Sequence, residues 1–269
     1  MNDFKYISYY LDKPLRQGRV YDIFVPEKDL RDTAIFIVHG GGWNGGSRLQ
    51  YHTLMEAFAD RGYIVASTDY RLTVPATEQL KDIQDAYLHF CRFLKDSGRP
   101  LKLFVHGSSA GAHLASLLAC GDKSGIENWV APQGVTLQAC PASFVPWDEI
   151  FPAVWSAMQR AAGCAYSEKP EVYKQLSLDH QITPGDPQLF FMEAECEHMF
   201  WPCQKLQLAR KIADAGNQVK VKIYPKVEHG FIYSLERTQQ IAAFEDIIKF
   251  IENEKIENCT FSTTEGETL

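Results

Sequence analysis

The chain has 269 residues, 45% of them hydrophobic and 23% charged, and its formal net charge at pH 7 is −7. This is ordinary globular composition, and the length allows one large α/β domain or two small ones, with a core that needs no disulfide or metal ion for support. The acidic balance and the absence of any Lys/Arg cluster argue against nucleic-acid binding, so we predict no nucleic-acid partner.

The predicted elements begin with two short strands, KYISYY and RVYDIFV, which together are typical of a meander. A fully apolar strand of the buried, parallel-sheet type, TAIFIVHG, follows them. Helices and strands then alternate in the order helix LQYHTLMEAFADRG, strand YIVASTDY, helix TEQLKDIQDAYLHFCRFLKDSG, strand LKLFVHG, helix AGAHLASLLACG and strand GVTLQAC.

Residues 141–185 interrupt this alternation with prolines, aromatic residues and a single helix around VWSAMQRAA, so we predict a lid there. The alternation resumes with strand QLFFMEA, helix FWPCQKLQLARKIADAG, strand VKVKIYP and helix LERTQQIAAFEDIIKFIENE. We therefore predict a single α/β domain over residues 1–269, with a parallel sheet and helices on both of its faces. Residues 257–269 are polar, and we expect this tail to be disordered.

The cysteines and the amino terminus bear on cofactors and location. The seven cysteines show no CxxC pair and no Cys/His ligand spacing, so we predict no metal site and no cofactor. Residues 1–17 lack the apolar centre of a signal peptide, and no apolar run approaches a membrane span. We expect a cytoplasmic protein without membrane attachment. The oligomeric state stays open, a homo-oligomer included.

The segment GSSAG at positions 107–111 fits the pattern G-x-S-x-G, with Ser109 at its centre between a predicted strand and a predicted helix. A nucleophile elbow requires this context, because the sharp turn leaves the serine hydroxyl exposed. The flanking glycines let strand and helix pass closely, and the helix N-terminus favours developing negative charge. A plain small-residue turn is the alternative, but the position between strand and helix favours Ser109 as the nucleophile.

A run of glycines, HGGGW at positions 39–43, ends an earlier predicted strand. Glycines let backbone N–H groups approach a substrate closely, so we predict an oxyanion hole formed by Gly41, Gly42 and Ala110. A phosphate-binding loop is the alternative, but neither of the two common glycine-loop spacings is present. We expect the histidine of this segment to brace the loop, and Trp43 to line the substrate pocket.

A base and an acid complete the predicted site. His229 follows the strand VKVKI in a loop, which is where the last member of the order Ser…acid…His should fall. Its imidazole would take the proton of Ser109 and return it to the leaving group. The acid should follow the strand QLFFMEA, and we predict Glu197, with Glu195 as the second candidate, to orient the imidazole.

With these motifs in place, the chain resembles the α/β-hydrolase fold family, and within it the hormone-sensitive-lipase-like and BD-FAE-like esterases of the α/β hydrolase fold-3 group. The likeness is carried by HGGGW at 39–43, DYRL at 69–72, GSSAGAHLA at 107–115 and EHGF at 228–231. It implies a mostly parallel eight-stranded sheet and a serine carboxylesterase. Such an enzyme cleaves small acyl or aryl esters through a Ser-His-Glu triad and an acyl-enzyme intermediate.

The sequence departs from that family at the acid, where Gly-x-x-Asp-Pro is usual and this chain has Ala194-Glu195-Cys196-Glu197-His198. A glutamate thus replaces the aspartate, and its side chain is one methylene longer.

Two alternatives to an ester hydrolase stay open. HGGGW also fits the HGGxW pattern of the kynurenine formamidases, which resemble this chain and imply an arylformamidase acting on an amide. The other alternative is a non-catalytic member that only binds a ligand in the pocket. That alternative gains support if no carboxylate reaches His229.

Overall fold

The computed structural model describes residues 4–12, 18–28, 30–99 and 102–263. Its strands are β1 (Phe4–Tyr10), β2 (Val20–Pro26), β3 (Thr33–Val38), β4 (Ile64–Thr68), β5 (Lys102–Ser108), β6 (Gly134–Gln138), β7 (Gln188–Ala194), β8 (Val219–Tyr224) and β9 (Phe261–Ser262). Its α-helices are α1 (His52–Asp60), α2 (Ala76–Asp96), α3 (Ala110–Ala119), α4 (Pro152–Ala162), α5 (Pro170–Gln175), α6 (Pro202–Asp214) and α7 (Thr238–Ile251). Short 3₁₀ helices occupy Arg48–Tyr51 and Leu178–His180.

All nine strands belong to one sheet, in the order β1-β2-β4-β3-β5-β6-β7-β8-β9. The six strands from β4 to β8 in that order run parallel, whereas β1 and β2 form the predicted antiparallel hairpin at one edge. The alternating α/β pattern and the α/β-hydrolase fold are therefore confirmed. The expected count of eight strands is wrong, because β9 pairs antiparallel with β8 at the other edge.

Strand β9 comes from the segment that we expected to be disordered. Its backbone pairs with Lys220 and Val221, and the Phe261 side chain packs against the core. One aromatic residue thus gives a mainly polar segment an apolar contact, which composition averaged over thirteen residues conceals. The last six residues of that expected tail, 264–269, lie outside the described residues.

Apolar side chains cover both faces of the sheet. Strand β3 reads TAIFIV and is buried along its whole length, as a strand covered on both sides requires. Helices α2, α3 and α6 contribute to the apolar cluster on one face, and α1 and α7 to the cluster on the other. Helix α2 buries a stripe at three- and four-residue spacing that includes Ile83, Tyr87, Phe90 and Leu94, whereas α3 is buried along its whole length.

The segment 141–185 contains more regular structure than its sequence predicts. Helix α4 matches the expected helix, while α5 and the 3₁₀ helix at Leu178–His180 are additional. Pro152 and Pro170 begin α4 and α5, where a missing backbone N–H costs nothing. Two of the five prolines in this segment are therefore helix starts. Among the described residues, no helix has the length and apolar character needed to cross a membrane.

Candidate active site

The carboxyl ends of the parallel strands meet at one edge of the sheet, and all predicted site residues follow them. The glycine run follows β3, Ser109 follows β5, Glu197 follows β7 and His229 follows β8. Open α/β sheets bind ligands at this edge, because loops that are distant along the chain converge there.

Ser109 connects β5 to α3 with a strained backbone. Its φ of 54° and ψ of −124° lie where side chains other than glycine are disfavoured. The glycines on either side are required by close contact. A Cβ on Gly107 would lie 2.4 Å from the carbonyl oxygen of Gly111, and a Cβ on Gly111 would lie 2.2 Å from that of Val38. The turn therefore holds the Ser109 side chain at the sharp connection between strand and helix.

The imidazole of His229 lies between the hydroxyl of Ser109 and the carboxylate of Glu197. Its Nε2 atom is 2.7 Å from Oγ of Ser109, and its Nδ1 atom is 2.5 Å from Oε2 of Glu197. These partners require Nδ1 to carry the proton in the neutral ring, so that Nε2 is free to accept the serine hydrogen. The arrangement suits proton transfer from serine to histidine.

The carboxylate of Glu197 is fixed at both oxygens. Oε2 faces His229, while Oε1 accepts hydrogen bonds from the backbone N–H groups of Met199 and Phe200 at 2.8 and 3.3 Å. Burial favours the neutral acid, but the hydrogen bond and charge of His229 and the two N–H donors outweigh it. The pKa of Glu197 therefore lies below its usual value.

Glu195, the second candidate for the acid, is exposed and points elsewhere. Its Oε2 atom accepts a hydrogen bond from the backbone N–H of Lys226 at 2.8 Å. The structure therefore brings Glu197, and not Glu195, to His229.

The glycine run forms a loop whose shape only glycine allows. Gly41 and Gly42 have φ values of 119° and 59°, and a Cβ on Gly41 would lie 2.3 Å from the carbonyl oxygen of Gly45. Across from them, a Cβ on Gly40 would lie 3.3 Å from Cβ of Ser109, so the loop packs directly on the elbow. Within the described part of the chain, the N–H groups of Gly41, Gly42 and Ala110 donate to no protein acceptor, which leaves them available to a substrate oxygen.

The side chain of His39 supports this loop through ring stacking and a hydrogen bond. Its ring stacks on Tyr70 with centroids 4.3 Å apart, and its Nδ1 atom lies 2.7 Å from the Gly40 carbonyl oxygen. Tyr70 in turn donates its hydroxyl to the His39 carbonyl at 3.0 Å, and Asp69 pairs with Arg48 beyond the loop. Burial lowers the pKa of His39, which keeps the ring neutral. Tyr70 of the DYRL segment therefore helps to hold the glycine run that follows β3.

Trp43 is held by its backbone and by its indole. Its carbonyl accepts a hydrogen bond from Gln79 at 2.7 Å, and its Nε1–H donates to Nδ1 of His113 at 3.1 Å. His113 donates its other ring nitrogen to the Leu176 carbonyl at 2.6 Å and stacks on Phe144. Trp43 is therefore a rigid wall of the site, and His113 is the buried partner that orients it.

A cavity of about 340 Å³ opens at Ser109 and His229. Trp43 lines it together with side chains that the motifs did not single out: Phe151, Ala153, Val154, Ala157, Met199, Phe200 and Tyr233. Phe151 is 55% exposed, so one apolar side chain stands at the cavity mouth. Most of the lining is apolar, which favours an uncharged substrate group.

Phe151 lines the cavity, whereas Phe144, Trp147 and Trp155 of the same segment 141–185 do not. Phe144 is fully buried beside Trp43, and Trp155 packs against Tyr166 and Tyr173. Trp147 packs behind Phe200. Aromatic composition indicated an apolar region, but not which side chains face the substrate.

Across the described ranges, no group of three or more His, Cys, Asp or Glu side chains is placed to hold a metal ion. Cys91, Cys120 and Cys140 are buried thiols, and no disulfide occurs among the cysteines of the described ranges.

Known proteins are similar to this chain over most of its length. The BD-FAE family model matches residues 21–212. The chain is 25% identical to the esterase LipQ of Mycobacterium tuberculosis over 218 residues, which cover 75% of this chain and 51% of LipQ. The chain spans about a quarter to a half of the length of the curated relatives it matches.

Solved structures share the fold at low sequence identity. Esterase B from Lactobacillus rhamnosis superposes with a TM-score of 0.79 at 19% identity, covering 93% of this chain and 86% of that one. Esterase Est2 from Thermogutta terrifontis, in a butyrate-bound structure, gives 0.74 at 21% identity and covers 94% of both chains. At these identities the likeness establishes the α/β-hydrolase architecture.

Proposed function

We propose, since the chain belongs to the BD-FAE family, that it is a serine carboxylesterase that cleaves small acyl or aryl esters. The observation that carries the proposal is the continuous series of hydrogen bonds from Ser109 through His229 to Glu197, at 2.7 and 2.5 Å. A protein that used the pocket only to bind a ligand would have no need of a strained serine or of a buried carboxylate behind the histidine.

In the first half of the reaction, Oγ of Ser109 attacks the ester carbonyl while its proton passes to Nε2 of His229. The carbonyl oxygen becomes an oxyanion that accepts hydrogen bonds from the backbone N–H groups of Gly41, Gly42 and Ala110. Each such donor lowers the barrier by about 3 kcal/mol. The intermediate collapses, the bond to the alcohol oxygen breaks, and His229 returns the proton to the leaving alcohol.

In the second half, water attacks the acyl-enzyme at the same carbonyl carbon. His229 takes a proton from the water, and the same N–H groups hold the second oxyanion. Collapse releases the carboxylic acid, and the proton on His229 returns to Ser109. Throughout, Glu197 stabilises the imidazolium and fixes its orientation without itself being protonated, in keeping with its lowered pKa.

The size and lining of the cavity point to a short acyl or aryl group. A volume of about 340 Å³ is near the lower end for small-molecule sites, and its walls are mainly apolar. The butyrate bound to the structurally similar Est2 is a short acyl group of this kind. We also propose that segment 141–185 acts as a lid, because Phe151, Val154 and Ala157 lie over the cavity.

A fluorophosphonate probe tests the nucleophile without knowledge of the physiological substrate. Mass spectrometry should find the label on the peptide that contains Ser109, and the Ser109→Ala variant should take up none. Labelling of that variant, or labelling elsewhere in the wild type, would contradict the mechanism.

A comparison of hydrolysis rates on an ester and on a formamide distinguishes a carboxylesterase from an arylformamidase. We expect kcat/KM for p-nitrophenyl acetate or butyrate to exceed that for N-formylkynurenine. The reverse order would assign the arylformamidase function to the same residues. An inactive wild-type protein that also resists the probe would favour the ligand-binding alternative.

A further inference from the structure

Two charged residues, Glu193 on β7 and Lys205 on α6, lie at positions where the strand and the helix place core side chains. On β7, side-chain alternation places Leu189, Phe191 and Glu193 on one face, and the first two belong to the apolar core. On α6, the buried stripe consists of Lys205, Leu208, Ala209 and Ile212. Both Glu193 and Lys205 are 0% exposed. Residues that break the local pattern in this way are a mark of functional positions.

The two side chains face each other without forming a close ion pair. Nζ of Lys205 lies 3.9 Å from Oε2 of Glu193, and within the described residues no side chain donates a hydrogen bond to either carboxylate oxygen, although the backbone of Cys140 faces this carboxylate. The ammonium is directed instead at Phe200, with 3.3 Å to its carbonyl oxygen and 5.8 Å to its ring centre. The pair would cost stability if it served only to hold α6 against the sheet.

Phe200 connects this pair to the candidate site. Its backbone N–H donates to Oε1 of Glu197 at 3.3 Å, and its ring centre lies 5.9 Å from that of His229. Its side chain also lines the cavity at Ser109. Both backbone polar groups of Phe200 are therefore occupied, one by Lys205 and the other by the carboxylate that orients the histidine.

We propose that Lys205, which faces Glu193 in the core, is a positioning residue that fixes Phe200 and through it the Glu197 carboxylate. The inference rests on the proposed function, since Glu197 matters to catalysis only if His229 is the base. A hydrogen bond from an ammonium is stronger than one from a neutral donor, so it holds the Phe200 carbonyl more firmly. The turn after β7 has no regular secondary structure that would hold the Phe200 carbonyl in place.

The surroundings explain why two opposite charges occur together. Glu193 faces Lys205 from α6, Glu197 from the turn after β7, and Cys140 from the loop after β6. Burial raises the pKa of Glu193 to about 7, even though the ammonium of Lys205 acts in the opposite direction. Without Lys205, Glu193 would lose the cation that favours its ionised form beside Glu197.

The test replaces Lys205 by methionine, which keeps the length of the side chain and removes its donor. We expect Lys205→Met to lower kcat on the order of 10- to 100-fold with KM nearly unchanged, because a small displacement of Glu197 disturbs proton transfer more than binding. The matched control is Lys211→Met on the same helix, since exposed Lys211 also donates to a carbonyl, that of Asp179, away from the site. The control should keep wild-type kcat.

Proton NMR supplies a readout that a purely structural role would not change. The proton between His229 and Glu197 should give a far-downfield signal, and Lys205→Met should shift or broaden it. Because Lys205→Met alone leaves Glu193 uncompensated, the double variant Glu193→Gln/Lys205→Met is measured beside it. We expect this neutral pair to keep the wild-type unfolding temperature while kcat stays low.

Wild-type kcat in the double variant, or reduced kcat with an unchanged downfield signal, would overturn the inference. A wild-type protein without esterase activity would instead count against the proposed function. In that case, the NMR signal in wild type and variant still shows whether Lys205 orients Glu197.

Discussion

Glu197 reaches Nδ1 of His229 at 2.5 Å although it stands where the resembling family usually has the shorter aspartate. The longer side chain is accommodated because its other oxygen accepts hydrogen bonds from the N–H groups of Met199 and Phe200. These two hydrogen bonds form a tight turn around the carboxylate, and this turn accommodates the additional methylene group of the glutamate side chain. The position of the acid is thus set by the backbone that follows it.

Glu197→Gln should lower kcat by about 10³- to 10⁴-fold, because an amide can neither hold the required imidazole tautomer nor stabilise the imidazolium. The measurement is steady-state hydrolysis of a short p-nitrophenyl ester. Glu195→Gln is the matched control, since it makes the same chemical change two residues earlier on an exposed side chain. We expect the control to change kcat less than about threefold. A larger loss in the control than in Glu197→Gln would reassign the acid.

Much of the site could be predicted from the sequence because its residues follow buried parallel strands. GSSAG and HGGGW each sit directly after an apolar run, and the sheet brings the ends of such runs together. The clash distances at Gly107 and Gly111 give the physical reason that the pattern must have glycine there. His229 was also predictable, because the triad order places the base after the last long strand.

The residues that shape the pocket could not be predicted in the same way. Phe151, Met199 and Phe200 face the cavity, whereas Phe144 and Trp155 with the same character lie in the core. Local sequence indicates that a segment is apolar, but the face it presents depends on how loops pack. Strand β9 was not predicted for a related reason. The sequence around it is mainly polar, and the packing of a single residue, Phe261, against the core is not visible in the composition.

The strained backbone at Ser109 predicts an unusual effect on stability. Ser109→Gly and Ser109→Ala should both abolish hydrolysis, since neither has a hydroxyl. The glycine variant should nevertheless have the higher free energy of unfolding, by about 1 kcal/mol. Glycine relieves strain of about 1–3 kcal/mol at φ 54°, against about 0.5–1 kcal/mol of added chain entropy in the unfolded state. Urea unfolding of the two variants provides the measurement. Equal or lower stability of Ser109→Gly would show that the turn is unstrained.

Gly111 should tolerate no side chain. In Gly111→Ala the new methyl group would lie 2.2 Å from the carbonyl oxygen of Val38 and 2.4 Å from that of His39. Helix α3 would have to move away from the glycine run at positions 39–43. We therefore expect a loss of about 1–3 kcal/mol in the free energy of unfolding, together with loss of activity. Gly125→Ala is the control, because nothing lies within 4 Å of a Cβ at that position. Thermal unfolding and ester hydrolysis should be unchanged in the control, and a similar loss there would remove the steric explanation.

His113 makes the fold sensitive to acid. Its Nδ1 accepts a hydrogen bond from Trp43 and its Nε2 donates to Leu176, so the ring must stay neutral, and burial lowers its pKa from 6.5 to about 4. The unfolded chain therefore binds this proton below pH 6.5 while the folded chain does not, and stability falls as the pH falls from 6.5 towards 4. Between pH 7 and pH 5 the loss from this one residue is about 2 kcal/mol.

His113→Gln should accordingly lose about 2 kcal/mol less than the wild type over that interval, although it is less stable than the wild type at pH 7. His198→Gln is the control, because this side chain is exposed. Its loss of stability between pH 7 and pH 5, measured by urea unfolding, should equal that of the wild type. Parallel losses in the wild type and His113→Gln would mean that His113 takes up its proton as readily in the folded protein as in the unfolded chain, which would contradict the requirement for a neutral ring.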